Sequence, residues 1–216
     1  MIKFYYSPAP NPEKVALLLE ETGLGYEFIP VDTRKGEQFA PDFMALNPNA
    51  KLPVIVDGDA VVFDSNAILL YLAEKTGRFL PEQSPAARGQ LLSWLMFVAS
   101  GLGPYSGQAV HFKKFAPGDQ SYAVTRYTYE AERHWGILDA HLADRPYMLG
   151  DAYGIVDMAV WGLGQARRFR ARRGGVGRAR PFATSGRRDQ CPSGRHAGRG
   201  AQGQACLQDR NGRGSA

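Results

Sequence analysis

Alternating, aromatic-rich positions open the chain, and residues 1–6 predict a short strand. The stretch Ser7-Pro8-Ala9-Pro10-Asn11-Pro12 is dense in breakers and reads as a turn. It ends in a helix-start signal, with Asn11 expected as the N-cap and Pro12 at the first helical position. Val15, Leu18, Leu19 and Thr22 then recur at helical spacing until Gly23 closes the helix. Residues 25–32, carrying Tyr26, Phe28, Ile29 and Val31, predict a second strand. The opening is therefore βαβ.

An irregular or short-helical stretch follows over residues 36–49. Pro53-Val54-Ile55-Val56 and Ala60-Val61-Val62-Phe63 are two apolar runs joined by Asp57-Gly58-Asp59, a strong hairpin signal. Asp64-Ser65 then caps a helix that carries Ile68, Leu69, Tyr71 and Leu72 and ends at Gly77. The order βαβ-ββα is that of a thioredoxin-like domain, although other small α/β domains share it. From Ser84 the pattern turns helical. Residues 86–115 and 121–143 predict two long amphipathic helices, the first kinked or broken at Gly101-Leu102-Gly103-Pro104, and another helix starts at Ile155. The expected organisation is an α/β thioredoxin-like domain over residues 1–80, a linker near Pro81 to Pro85, and an all-α helical domain over 86–162.

Composition alters this picture at one end. Residues 163–216 hold 13 arginines and 11 glycines, no lysine, and only Asp189 and Asp209 as acids. Residues 1–162 carry 13 basic against 19 acidic side chains, so the net charge of +5 belongs to the final segment and not to the body. An Arg/Gly-rich nucleic-acid tail would have aromatic residues interleaved and units repeated, and neither is present. Arginine without lysine, with glycine, alanine and proline, is what out-of-frame reading of a GC-rich gene produces. A frameshift near residues 162–166 is the expectation, testable by nucleotide sequencing, and the composition predicts disorder.

Both cysteines, Cys191 and Cys206, lie in that segment. A disulfide framework, a zinc ribbon and a Cys-x-x-Cys pair are thereby excluded from residues 1–162, and any thiol used there must arrive with a ligand. His111, His134 and His141 have no metal-ligand spacing, and no metal is expected. No apolar run reaches the roughly 20 residues of a membrane helix. The first residues lack a signal-peptide core, so the expected location is cytoplasmic.

Three motifs carry a resemblance. Tyr5-Tyr6-Ser7-Pro8-x-Pro10-Asn11, Asn47-Pro48-x-x-Lys51-Leu52-Pro53-Val54 and Asp64-Ser65-Asn66-Ala67-Ile68-Leu69-Leu70-Tyr71-Leu72 together resemble the N-terminal domain of cytosolic glutathione transferases. Gln38-Phe39, Ala73-Glu74-Lys75-Thr76-Gly77 and Gly101-Leu102-Gly103-Pro104 are most similar to the bacterial nu class, which includes glutathione-dependent disulfide-bond reductases. The likeness spans about residues 1–162.

The resemblance implies a site. Pro53 corresponds to a cis-proline that turns the Leu52 backbone toward the ligand's cysteinyl backbone, a form of strand addition; on its own it could simply start a strand. Asp64 and Ser65 correspond to the residues that hold the γ-glutamyl ammonium and carboxylate, and equally to a plain helix cap. Gln38 and Lys51 correspond to contacts at the glycyl end, and Arg126 to an arginine used toward the ligand. Asn11 is the leading hydrogen-bond donor to the glutathione sulfur and Ser7 a second one. The nu class has a threonine two residues before the asparagine, where this chain has Ala9. Asp157 matches the buried aspartate of a helix-capping motif whose cap is here Gly154.

The implied function is a dimeric glutathione transferase, with glutathione as co-substrate and a small electrophile or a disulfide as second partner. Disulfide reduction is one alternative, and a non-catalytic glutathione-binding or scaffold protein is another. The family's last helices find no counterpart in this sequence. Their absence predicts lower stability or exposed apolar surface around Trp94, Phe97 and Trp161.

Overall fold

The first apolar run forms β1 (Ile2–Tyr6), whose inward residues Ile2 and Phe4 are buried. The chain turns through Ser7 to Ala9 into α1 (Pro10–Thr22), which ends on Gly23 in the left-handed conformation, and returns as β2 (Tyr26–Pro30), parallel to β1. A computed structural model describes the backbone over residues 1–171 and the side chains as far as residue 164. A short 3₁₀ turn (Glu37–Phe39) and α2 (Pro41–Leu46) lead to the hairpin of β3 (Val54–Asp57) and β4 (Ala60–Phe63). Of the two hairpin turn residues only Gly58 has positive φ, at 62°, so the glycine belongs at the first of them. The sheet runs β2-β1-β3-β4, with β3 antiparallel to both of its neighbours. This is the thioredoxin-like arrangement that the order of runs predicts.

The helix α3 (Ser65–Thr76) lies beside α1 on the sheet. Val15, Leu18 and Leu19 of α1 meet Ile68, Leu69 and Leu72 of α3 in a core that excludes solvent entirely. Burying each such side chain stabilises the fold by about 1.5–3 kcal/mol. The all-helical half follows: α4 (Pro85–Phe97), a π-helical turn (Val98–Leu102), α5 (Gly103–Lys114), α6 (Ser121–His141) and α7 (Ile155–Ala171). The Gly-Leu-Gly-Pro break expected in the first long helix is that π turn. Gly101 faces the His134 ring so closely that no Cβ fits there. Ser84 caps α4 by accepting from the Ala87 N–H at 3.1 Å.

Three expectations change. The helix α1 starts at Pro10 with Ala9 as its N-cap, so Asn11 is a helical residue and not the cap. A prolyl ring already holds helical φ, which lets Pro10 begin the helix one residue before the polar signal. Trp94, Phe97 and Trp161 are half-buried rather than exposed, the Trp94 ring lying 4.3 Å from His141 and 5.4 Å from Phe97. The last helix runs to Ala171, into the segment that composition sets apart. The remainder of that segment, with Cys191, Cys206 and the frameshift expectation, lies outside the described residues.

At the start of α7, Asp157 accepts from the backbone N–H groups of Met148 (2.9 Å) and Gly154 (3.0 Å). Burial pushes its carboxyl above the usual range even so. A Cβ on Gly154 would stand 3.0 Å from the Phe79 carbonyl oxygen, so a side chain here would crowd that backbone.

The helix α7 also crosses α1 closely. A Cβ on Gly162 would lie 2.5 Å from Lys14 Cγ and 2.6 Å from the Pro10 carbonyl oxygen. Gly162→Ala is therefore expected to destabilise by about 1–3 kcal/mol in urea unfolding. Gly107→Ala, inside α5 with open space around the new Cβ, should stabilise by about 0.5–1 kcal/mol. Equal midpoints for the two variants would show that the helix crossing tolerates extra volume.

Candidate functional site

The site is assembled from two helix starts and one loop. In the loop, Asn47 is 1% exposed; its Nδ2 donates to the Lys51 carbonyl at 2.8 Å, and its Oδ1 accepts from the Asn49 N–H at 3.0 Å. These bonds close residues 47–51 into a turn ahead of the cis Leu52–Pro53 peptide, after which Val54 begins β3. Among the described residues the Leu52 N–H and C=O make no backbone hydrogen bond. An extended ligand could pair with both, as an added strand does.

At the start of α3, Asp64 is the N-cap with φ 71° and ψ 126°. Its Oδ1 accepts from the Asn66 N–H at 2.8 Å and the Ala67 N–H at 3.3 Å. A non-glycine residue at positive φ is strained, and such strain concentrates at functional turns. Ser65 is 3% exposed, and neither its N–H nor its hydroxyl is hydrogen-bonded among the described residues. Asn66 is buried with its Oδ1 unpartnered among the same residues.

At the start of α1 the donors are few. Pro10 and Pro12 have no N–H, and the Glu13 N–H reaches the Ala9 carbonyl at 3.2 Å. Ala9 supplies no side-chain acceptor, so the free donor of the first turn is the Asn11 N–H, with the Asn11 side-chain amide beside it. One turn on, Lys14 is 1% exposed. Burial pushes its pKa down to about 8, and the negative charge of Asp64 works against that shift.

These groups surround one cleft of about 410 Å³, whose opposite wall is Val98 and Ala99 of the π turn with Gly103 and Pro104 of α5. It brings together Asn11, Lys51, Leu52, Pro53, Asp64 and Ser65 of the residues expected from sequence. Ser7 lies half-buried between β1 and α1, outside the lining. Gln38 sits on the 3₁₀ turn, also outside it, with Oε1 buried and unpartnered among the described residues. Arg126 is exposed on α6, is ion-paired to Glu130 at 2.9 Å, and does not line the cleft.

Lys14, Asn47 and Asn66 line the cleft without having been singled out. The signal for Lys14 was there: it stands four residues before Leu18, a charge on the face that the apolar period assigns to the core. The charged side chains of the lining are Lys14, Lys51 and Asp64, a net positive charge. With two helix N-termini added, the cleft suits an anionic ligand that carries one cationic group.

Asp64 has two roles that substitution separates. Asp64→Ala removes the cap and leaves alanine at positive φ, which should lower stability by about 1–2 kcal/mol. Asp64→Gly loses the cap but relieves the strain, so its urea midpoint should lie above that of the alanine variant. The reverse order would mean that the φ of 71° is not strained.

The glutathione S-transferase N-terminal domain model matches residues 1–74. Disulfide-bond oxidoreductase YfcG of Escherichia coli (strain K12) is 44% identical over 168 residues, covering 74% of this chain and 78% of YfcG. Disulfide-bond oxidoreductase YghU of the same organism is 39% identical over 171 residues, but the chain spans only 59% of its length. A glutathione transferase from Pseudomonas putida, solved with one glutathione disulfide bound per subunit, superposes with a TM-score of 0.73 at 39% identity, covering 79% of this chain and 78% of that one.

Proposed function

The chain belongs to the glutathione transferase family, and from that premise we propose that its cleft binds glutathione and presents the sulfur, as thiolate, to a small electrophile. The observation that carries this reading is the convergence of three kinds of group on one cleft: free backbone at Leu52, the unbonded N–H and hydroxyl of Ser65 at the α3 start, and the carboxylate of Asp64. Glutathione has two carboxylates and one ammonium on an extended backbone. Ser65 and the α3 N-terminus take the γ-glutamyl carboxylate, and Asp64 its ammonium. Lys51 faces the glycyl carboxylate, and Gln38, on the 3₁₀ turn outside the lining, is assigned to the same end. Leu52 pairs with the cysteinyl backbone across the cis peptide to Pro53. Asn11 hydrogen-bonds the sulfur, with Ser7 as a second donor and Arg126 toward the ligand, although both lie outside the lining.

A second reading rests on the relatives: two are named disulfide-bond oxidoreductases, and a third was solved with glutathione disulfide. In that reaction the bound thiolate attacks one sulfur of a disulfide. A new S–S bond forms to glutathione, the old one breaks, and the departing thiolate takes a proton from water. The proposal also includes a homodimer, a cytoplasmic location and a division into two domains between residues 80 and 86. Among the described residues, no helix is long and apolar enough to cross a membrane.

Isothermal titration with glutathione tests binding. Ser65→Ala and Lys51→Ala should each weaken it by about tenfold, the value of one charged hydrogen bond. Unaltered affinity in both would remove the assigned ligand pose. Assays with a chloronitrobenzene and with a glutathione mixed disulfide separate the two reactions. Turnover in neither, with binding intact, leaves the glutathione-binding scaffold.

A further inference from the structure

Lys14 is buried, and among the described residues no group forms a salt bridge or hydrogen bond with its amine; Asp64 acts on it only through its charge. Its stem packs where α7 crosses at Gly162, and the residue lines the cleft. Asp64 is the acid of the lining, and its Oδ1 already accepts two backbone N–H groups. An unpaired ammonium in an apolar setting is costly, and native structures keep one where a counter-ion will arrive.

The ligand can supply that counter-ion. Of the three groups in glutathione that can be anionic, the γ-glutamyl carboxylate has the start of α3 and the glycyl carboxylate has Lys51. The sulfur remains. It belongs at the first turn of α1, where Asn11 holds the free donor; Lys14 follows at the i+3 position, on the same face. Ala9 offers no hydroxyl there, so hydrogen bonding to the sulfur is thin and a charge matters more. We propose that the Lys14 ammonium is the cation that holds the glutathione sulfur as thiolate in this cleft. The assignment rests on the glutathione reading given above. A free thiol has a pKa near 8.5 and is only a few per cent ionised at neutral pH, which an adjacent positive charge corrects. Asp64 from α3 and Lys51 from the loop before β3 are the other charges of the lining; α7 meets the Lys14 stem with Gly162, and the π turn adds only Val98 and Ala99.

The test reads the sulfur itself. In Lys14→Met, which keeps an unbranched stem against Gly162, the pKa of bound glutathione, followed by ultraviolet thiolate absorbance, should rise by about one unit or more. Affinity for S-methylglutathione, which has no ionisable sulfur, should stay within about twofold, and Lys14→Arg should hold the thiol pKa near that of the parent. A second measurement needs no substitution. Nuclear magnetic resonance of lysine-labelled protein should show the Lys14 amine titrating at higher pH with glutathione bound than with S-methylglutathione bound. An unchanged thiol pKa, an equal loss of affinity for both ligands, or a Lys14 titration that does not distinguish them overturns the proposal. Failure of the parent protein to bind either glutathione or S-methylglutathione would overturn the glutathione reading with it.

Discussion

The cleft depends on how closely α7 approaches the first turn of α1. Contact between these helices is made through a residue without a side chain, so that Gly162 rests within touching distance of the Lys14 stem and the Pro10 carbonyl. That close approach helps seal Lys14 from water. It also brings the helical half of the chain over the end of the sheet, where the π turn and Pro104 form the far wall. A glycine in a long apolar helix is usually a modest loss of helix stability. Here it sets the separation of the two halves of the site.

The two helix starts that face the cleft are built in opposite ways. The α3 start is capped by its own aspartate, which occupies two N–H groups and leaves that of Ser65 free. The α1 start has almost no donors, because two of its first three residues are proline, and it is capped by an alanine. The first arrangement recognises a carboxylate next to an ammonium by charge and direction. The second offers a single hydrogen bond and a low-polarity surface, which suits sulfur better than oxygen. The large, diffuse thiolate needs fewer hydrogen bonds than a carboxylate but gains from a nearby full charge. On the proposed reading, recognition falls to one helix start and activation to the other, and each can change without the other.

Much of this was legible in the sequence because local rules agreed with the fold. The Asp57-Gly58-Asp59 turn, the capping pair Asp64-Ser65 and the glycine stops at Gly23 and Gly77 all act over a few residues, and the elements sit where these signals put them. The start of α1 misled because two signals overlapped: Asn11 is a good cap and Pro10 a good first residue, and the proline prevailed. Lys14 and Gly162 escaped for a different reason. Their meaning lies in a contact between residues far apart in the chain, which no periodicity encodes. Ser7, Gln38 and Arg126 lie outside the lining of the cleft, because a motif records neighbours in sequence and the lining is set by neighbours in space.

The distinction between a carbon electrophile and a disulfide does not reside in the activating groups. A thiolate stabilised by one hydrogen bond and one ammonium attacks either, since in both cases the sulfur delivers an electron pair and the stabilising charge is released as the bond forms. Selection must come from the wall that receives the second partner. The described part of that wall is small and apolar, with Val98, Ala99, Gly103 and Pro104 placing no charge against it. Such a surface leaves room for a second peptide chain, and its lack of shape-specific polar groups disfavours tight selection among small aromatics. If a sulfur is activated beneath it, as proposed, this uncharged wall admits a disulfide as readily as a carbon electrophile.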